Sequence, residues 1–175
     1  MKITLIRHTS LNINPGICYG QSDIPVSENF EKEAKFAFSK IQNRKYDAVY
    51  SSPLERCTKL ADYCGYKKPI IDKRLMEMSF GNWECRYWEK IDDPQLEKWF
   101  DNWKEESPTN GESLSELIAR VEDFIQEIKD LNLNQILLFT HAGVIRALVT
   151  VLEIIDLDKA FEMKIDYGQV IELEL

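Results

Sequence analysis

The sequence predicts an α/β fold: a three-layer α/β/α sandwich with a mostly parallel central sheet and a small Trp-rich cap insertion. Three observations carry this. Strand-length apolar runs alternate with stretches of helical periodicity along the 175 residues. The first run, Lys2-Ile3-Thr4-Leu5-Ile6-Arg7, is nearly continuously apolar, as a strand buried on both faces must be. The clearest helical stretch, 113–130, carries Leu114, Leu117, Ile118, Val121, Ile125 and Ile128 on one stripe with Glu, Asp and Lys opposite.

The elements follow in order. A strand over residues 2–7 ends at His8, and a polar loop with Pro15, Gly16 and Gly20 runs to about Asp23. Ser27 is predicted to cap a helix over 28–43, whose Phe30, Ala34, Ala37, Phe38 and Ile41 keep helical spacing. Asp47–Ser51 reads as a second strand. Ser52-Pro53-Leu54-Glu55 then gives three helix-start signals: a Ser cap, Pro at the first position and Glu three residues after the cap. That helix runs to about Cys64 and stops at Gly65. Lys68–Ile71 is a short third strand, set at an edge by Pro69. The irregular segment 79–111 holds all four tryptophans, Trp83, Trp88, Trp99 and Trp103, with Tyr87 and Phe100. It is expected to overhang the sheet's rim. After helix 113–130 come a strand over 135–140, a helix from about 143 to 153, and two short strands around Tyr167-Gly168 between Phe161 and Leu175. With no repeat, linker or low-complexity tract, residues 1–175 read as a single domain.

The formal net charge of −8 argues against a nucleic-acid or anionic-membrane surface, since both need clustered Lys and Arg. An anionic ligand would need a local positive pocket. The N-terminus runs straight into a strand with no signal-peptide pattern, and no apolar run reaches membrane-span length. The expected location is the cytoplasm. There Cys18, Cys57, Cys64 and Cys85, which lack C-x-x-C spacing, would be free thiols, with Cys57 and Cys64 packing one helix. No metal site is expected, because two histidines without H-E-x-x-H spacing do not make one. No phosphate-loop or dinucleotide glycine pattern is present, and no cofactor is implied.

The two histidines, His8 and His141, each end a predicted strand. Ligands of open α/β sheets bind outside the carboxyl ends of the strands, so both imidazoles should reach one rim. Arg7 precedes His8; an arginine fork matches phosphate oxygens, and a neutral imidazole is a competent nucleophile toward phosphorus. Arg56 lies in the first turn of the helix after the second strand, where free N–H groups and the helix dipole favour an anion. His141-Ala142-Gly143 repeats the strand-to-helix geometry, and Gly143 allows close backbone approach. Glu77 follows the third strand, and a carboxyl in an apolar setting can act as a general acid. Taken singly, each would also pass as an ordinary strand end, helix cap or solvated surface residue.

Five segments in one order resemble the histidine phosphatase superfamily, the phosphoglycerate-mutase-like proteins. They are Leu5-Ile6-Arg7-His8, Ser51-Ser52-Pro53-Leu54-Glu55-Arg56-Cys57, Glu77-Met78-Ser79-Phe80-Gly81-Asn82-Trp83-Glu84, Pro108-Thr109-Asn110-Gly111-Glu112-Ser113 and Thr140-His141-Ala142-Gly143. The short length, Cys18-Tyr19-Gly20-Gln21-Ser22-Asp23 and the 74–84 stretch look most like the α-ribazole phosphatase branch of cobalamin biosynthesis. The resemblance implies a phosphohistidine route without cofactor or metal. His8 would attack phosphorus, Glu77 would serve as acid and then base, and Arg7, Arg56 and His141 would hold the phosphoryl oxygens. Asn14, at the family's R-H-x-x-x-x-x-N position, would complete the phosphate side with Tyr19, Gly20, Gln21 and Ala142. The implied partner is a small phosphorylated metabolite, with room left for a homo-oligomer.

This chain also departs from the family pattern. Thr9 and Cys85 stand where glycine is common, and Ser10 where glutamate is common. A β-branched Thr9 requires the turn after His8 to keep an ordinary φ. A broad small-molecule phosphatase, a phosphoglycerate-mutase-like enzyme and, more remotely, a non-catalytic phosphate-binding module remain open.

Overall fold

A computed structural model describes residues 1–174. One five-stranded sheet has the order β3-β2-β4-β1-β5. The strands β1 (Lys2–Arg7), β2 (Ala48–Ser51), β3 (Ile70–Ile71) and β4 (Gln135–Thr140) are parallel, and β5 (Val170–Glu174) lies antiparallel beside β1. Parallel neighbours need crossover connections, which the helices supply. These are α1 (Phe30–Ile41), α2 (Glu55–Tyr63), α3 (Gln95–Asp101), α4 (Leu114–Lys129), α5 (Ala142–Val151) and α6 (Leu157–Glu162).

Alternation along the central strands produces the three layers. Ile3, Leu5, Ile136 and Leu138 pack with Val121 and Phe124 of α4 and Ile145 and Leu148 of α5. Ile6, Leu137 and Phe139 point the other way, onto Ala34 and Ala37 of α1 and Cys57 and Leu60 of α2. Cys57 and Cys64 are buried thiols in that second cluster, the packing role expected of them. β3 lies at the sheet edge, as Pro69 required, and both its residues are exposed.

Two helix starts differ from expectation. Helix α1 begins at Phe30, with Asn29 in the cap position. Ser27 instead bonds Ser10 Oγ at 2.6 Å and accepts from the Asn29 N–H, so its hydroxyl serves a turn two residues early. Helix α2 begins at Glu55, after Leu54, with no cap from its own preceding residues. Asp23, far away in sequence, accepts from the Glu55 N–H at 2.7 Å. The Ser52 hydroxyl accepts from the Leu54 N–H at 3.3 Å, one residue short of the helix, and keeps capacity for a second partner.

The C-terminal region also corrects the sequence reading. Of the two strands expected between Phe161 and Leu175 only β5 forms; a short helix, α6, ends at Glu162, and 163–169 is a loop and turn. Leu157, Ala160 and Phe161 have i, i+3, i+4 spacing, and Ala160 is fully buried. The expected closing strand's last residue, Leu175, lies outside the described residues.

Segment 79–111 forms two 3₁₀ turns and α3, with Trp83, fully buried, at the centre of an aromatic cluster with Phe80, Trp88 and Trp99. Trp83 Nε1 donates to Asp93 at 2.7 Å, which satisfies its only polar atom.

Helix α4 starts with a complete capping box: Ser113 Oγ accepts from Glu116 N at 3.1 Å, and Glu116 Oε2 accepts from Ser113 N at 2.7 Å. Ser113→Ala is therefore expected to lower stability by about 1 kcal/mol, read from urea unfolding. A midpoint equal to that of the unsubstituted protein would show that the box contributes nothing.

Candidate active site

The β1–β4 pairing sets two histidines side by side. Arg7 stands opposite Thr140, and the His8 N–H donates to the Thr140 carbonyl at 3.0 Å. His8 and His141 therefore leave the sheet together. Their ring centroids are 5.1 Å apart, and they are 2% and 0% exposed.

The hydrogen bonds give the two rings opposite tautomers. His8 Nδ1 lies 2.7 Å from the Thr9 carbonyl oxygen. A carbonyl only accepts, so Nδ1 carries the proton and Nε2 keeps its lone pair. His141 Nδ1 accepts from Arg56 Nε at 3.3 Å, so its proton sits on Nε2, which donates to Ser52 Oγ at 2.8 Å. Burial holds both imidazoles well below their usual 6.5. For His8, Arg56 and then Arg7 add to this against the opposing Thr9 bond; for His141, neighbouring positive charge adds to it. Both rings are thus neutral at neutral pH, one offering a lone pair and the other an N–H.

Thr9 takes no positive φ, as its branching demanded. Cys85 does, at φ 62°, which accounts for a site where glycine is common. Cys57 Sγ also touches His141, 3.4 Å from Nε2, but burial pushes its thiol up to about 12. It stays protonated at neutral pH and is no rival nucleophile.

Two guanidiniums flank this pair. Arg56 is fully buried; Nη1 donates to Ser22 O at 2.9 Å, Nη2 to Gly20 O and Nε to His141. Each terminal nitrogen keeps one further N–H. Arg7 donates from Nη1 to Ile165 O, and its Cζ lies over the Tyr167 ring, 3.8 Å from the centroid. Its Nη2 has no protein acceptor among the described residues.

Glu77 reaches the N-terminus of α5. Its Oε2 accepts from Gly143 N at 3.2 Å, and its Oε1 from Met78 N at 3.0 Å. A Cβ on Gly143 would lie 2.1 Å from Glu77 Oε1, so only glycine permits this approach. Glu77, Arg7, Tyr19, Ala142 and Gly143 line a cavity of about 390 Å³ together with Arg146 and an apolar wall that includes Phe80, Trp88, Trp99, Trp103 and Phe161.

The remaining sequence candidates separate. Ala142 and Tyr19 reach the cavity. Gly20 and Gln21 hold the loop in place: Gly20 gives its carbonyl to Arg56, and Gln21 Nε2 donates to the Glu77 carbonyl at 3.0 Å. Glu84 fastens this loop by accepting from Gln21 N, Ser22 N, Ser22 Oγ and Phe80 N. Asn14 is exposed, and its side chain bonds Tyr87 OH at 3.3 Å. The structure does not bring it into contact with the histidines.

Sequence reasoning missed Ser52, which had every mark of a helix cap, and Tyr167, which read only as a turn residue. The Tyr167 ring lies 5.6 Å from that of His8, and its hydroxyl bonds Tyr19 OH at 3.1 Å. The one available signal was that a strand beside β1 would bring the turn before it to His8.

A family model described as histidine phosphatase superfamily (branch 1) matches residues 3–175. Over 177 residues the chain is 29% identical to adenosylcobalamin/alpha-ribazole phosphatase of Escherichia coli (strain K12), covering 96% of this chain and 87% of that protein. Over 175 residues it is 30% identical to phosphoserine phosphatase 1 of Hydrogenobacter thermophilus, covering 95% and 82%. Among solved structures it is similar to the alpha-ribazole phosphatase from Shigella flexneri, with TM-score 0.91, 26% identity, and coverage of 100% of this chain and 91% of that one.

The buried histidines make stability depend on pH. Their folded pKa values lie below the unfolded 6.5, so the unfolded state binds more protons as pH falls through 6.5. Their contribution is complete above that pH and is lost below it, with a slope approaching about 1.4 kcal/mol per pH unit for each ring. Urea unfolding between pH 7 and 5 should show this slope, reduced by one proton in His8→Asn. An unchanged slope in the variant would mean that His8 titrates alike in both states.

Proposed function

The chain belongs to the histidine phosphatase superfamily and is a phosphoric monoester hydrolase; we propose that it works through a phosphohistidine and dephosphorylates α-ribazole 5′-phosphate. The observation that carries the proposal is a neutral imidazole with its Nε2 lone pair fixed, flanked by two guanidiniums, of which Arg7 lines an aromatic cavity together with Glu77.

In the first step the His8 Nε2 lone pair forms the N–P bond as the P–O ester bond breaks, and the Glu77 carboxyl protonates the leaving alkoxide. Arg7 Nη2 and the unused N–H groups of Arg56 hold the non-bridging oxygens, and His141 turns its Nε2–H from Ser52 to one of them. In the second step water attacks phosphorus and gives its proton to the Glu77 carboxylate. The N–P bond breaks, releasing phosphate, and the lone pair returns to His8. Tyr19 and Ala142 border the substrate. Gly20 and Gln21 shape the loop around it, and Asn14 joins only if that loop shifts.

The choice of substrate rests on the cavity wall. Phe80, Trp88, Trp99 and Trp103 suit a leaving alcohol that carries a flat aromatic ring such as a benzimidazole. On this reading the protein is a single domain over 1–175 with 79–111 as its cap, and it acts in the cytoplasm on a small phosphorylated metabolite in cobalamin biosynthesis. Arg146 in the same cavity favours a second reading, a broader phosphatase that accepts carboxylate-bearing esters such as phosphoserine.

The test is kcat/KM across α-ribazole 5′-phosphate, phosphoserine, 3-phosphoglycerate and sugar phosphates. α-Ribazole 5′-phosphate should lead, and Trp88→Ala or Trp99→Ala should cost it roughly 10- to 100-fold, the worth of one stacked ring. Equal turnover of all esters, or no effect of either substitution, would contradict the choice of substrate.

A further inference from the structure

Arg120, on α4, touches neither histidine and lies outside the cavity lining, yet it is tied to the main chain that carries Glu77. Its Nε donates to Glu112 Oε1 at 2.6 Å and its Nη2 to Glu112 Oε2 at 2.9 Å, a two-pronged pair with both side chains mostly buried. The other edge of the guanidinium grips two carbonyls of one segment: Nη1 donates to Arg74 O, and Nη2 to Glu77 O at 3.1 Å. Glu112 completes the frame, with Oε2 accepting from Ser79 N at 3.3 Å and its own N–H donating to Ser79 O at 2.9 Å. Main-chain groups on both sides of Glu77 are thereby fixed to Arg120 of α4 and to Glu112, in the loop that leads into it.

We propose that the Arg120–Glu112 pair is a positioning device for the proton-transfer step, holding the Glu77 backbone so that its carboxylate stays on the Gly143 N–H and aimed at the leaving-group oxygen. The pair is planar and bidentate, so it fixes orientation as well as distance. Gln21, which donates to the same Glu77 carbonyl, braces it from the opposite loop. Lysine in place of Arg120 keeps the charge but cannot span Glu112 and two carbonyls at once. The Glu77 carboxylate would then wander by a fraction of an ångström to an ångström, enough to impair a proton transfer that needs hydrogen-bond geometry. The remaining phosphate-side groups, His8, Arg7, Arg56 and His141, would be untouched.

This inference rests on the reading that Glu77 is the general acid, and leaving-group chemistry separates the two claims. A nitrophenolate departs without a proton; an alkoxide does not. The experiment compares kcat/KM for 4-nitrophenyl phosphate and 2-(4-nitrophenyl)ethyl phosphate, because kcat/KM covers the steps through leaving-group release. The alkyl-to-aryl ratio is independent of how much of a preparation is folded. Glu77→Gln should lower that ratio strongly. Arg120→Lys and Glu112→Gln should each lower it about 10- to 100-fold. The double variant Glu77→Gln/Arg120→Lys should fall no further than Glu77→Gln alone, because both substitutions disable one step. If Glu77→Gln lowers the ratio while Arg120→Lys and Glu112→Gln leave it at the unsubstituted value, the pair is only structural and the inference fails. If Glu77→Gln itself leaves the ratio unchanged, the general-acid reading fails, and the inference fails with it.

Discussion

The parallel pairing of β1 with β4 is the constraint from which the site follows. With Arg7 opposite Thr140 in the ladder, the next residue of each strand is a histidine, and neither ring has freedom to be elsewhere. A slip of one residue would turn Ile3, Leu5, Ile136 and Leu138 to the wrong face and open both core clusters. The cores that define the register therefore also define the distance between the imidazoles. Local hydrogen bonds then divide their roles: Thr9 O takes the proton of His8 Nδ1, while Arg56 donates to His141 Nδ1. Two identical side chains become a lone-pair donor and an N–H donor.

The same region resolves an electrostatic tension. A chain of net charge −8 concentrates Arg7 and Arg56 beside two buried rings, and this local field helps keep both rings neutral. A protonated His8 would be no nucleophile, so the positive surroundings serve both phosphate binding and the nucleophile's protonation state. Burial is the larger cause, which makes the site dependent on the packing around it. Gly143 adds a steric condition, since only its lack of a Cβ lets Glu77 sit on the first turn of α5.

Much of this was legible in the residues. The apolar pattern of 2–7 and 135–140 and the stripe of 114–128 located the sheet and its main helix, because burial on defined faces writes a period into sequence. Arg7, His8 and His141 stood out because scarce or charged residues fell at strand ends, Arg56 because it lay in a helix's first turn, and Glu77 because it followed the third strand. What was not legible depends on partners distant in sequence. Ser52 looked like a cap, but its hydroxyl stops at the Leu54 N–H and reaches His141, while Asp23 accepts from the first helical N–H from another loop. Tyr167 stacks on Arg7 only because β5 folds back along β1. The alternation after Phe161 forms no strand before Val170, because α6 ends at Glu162 and 163–169 is a loop and turn leading into β5. Glu112 belonged to a motif with no visible task until Arg120 was found on it.

The central claim is that His8, with its Nδ1 proton held by Thr9, attacks phosphorus through Nε2. The most direct measurement is to quench the enzyme during turnover of labelled substrate and determine which ring nitrogen bears the phosphoryl group, by phosphorus–proton correlation NMR of the denatured phosphoprotein. The account predicts acid-labile, base-stable label on Nε2 of His8, absent in His8→Ala. Phosphate on Nδ1, on His141, or on a protein lacking His8 would contradict it.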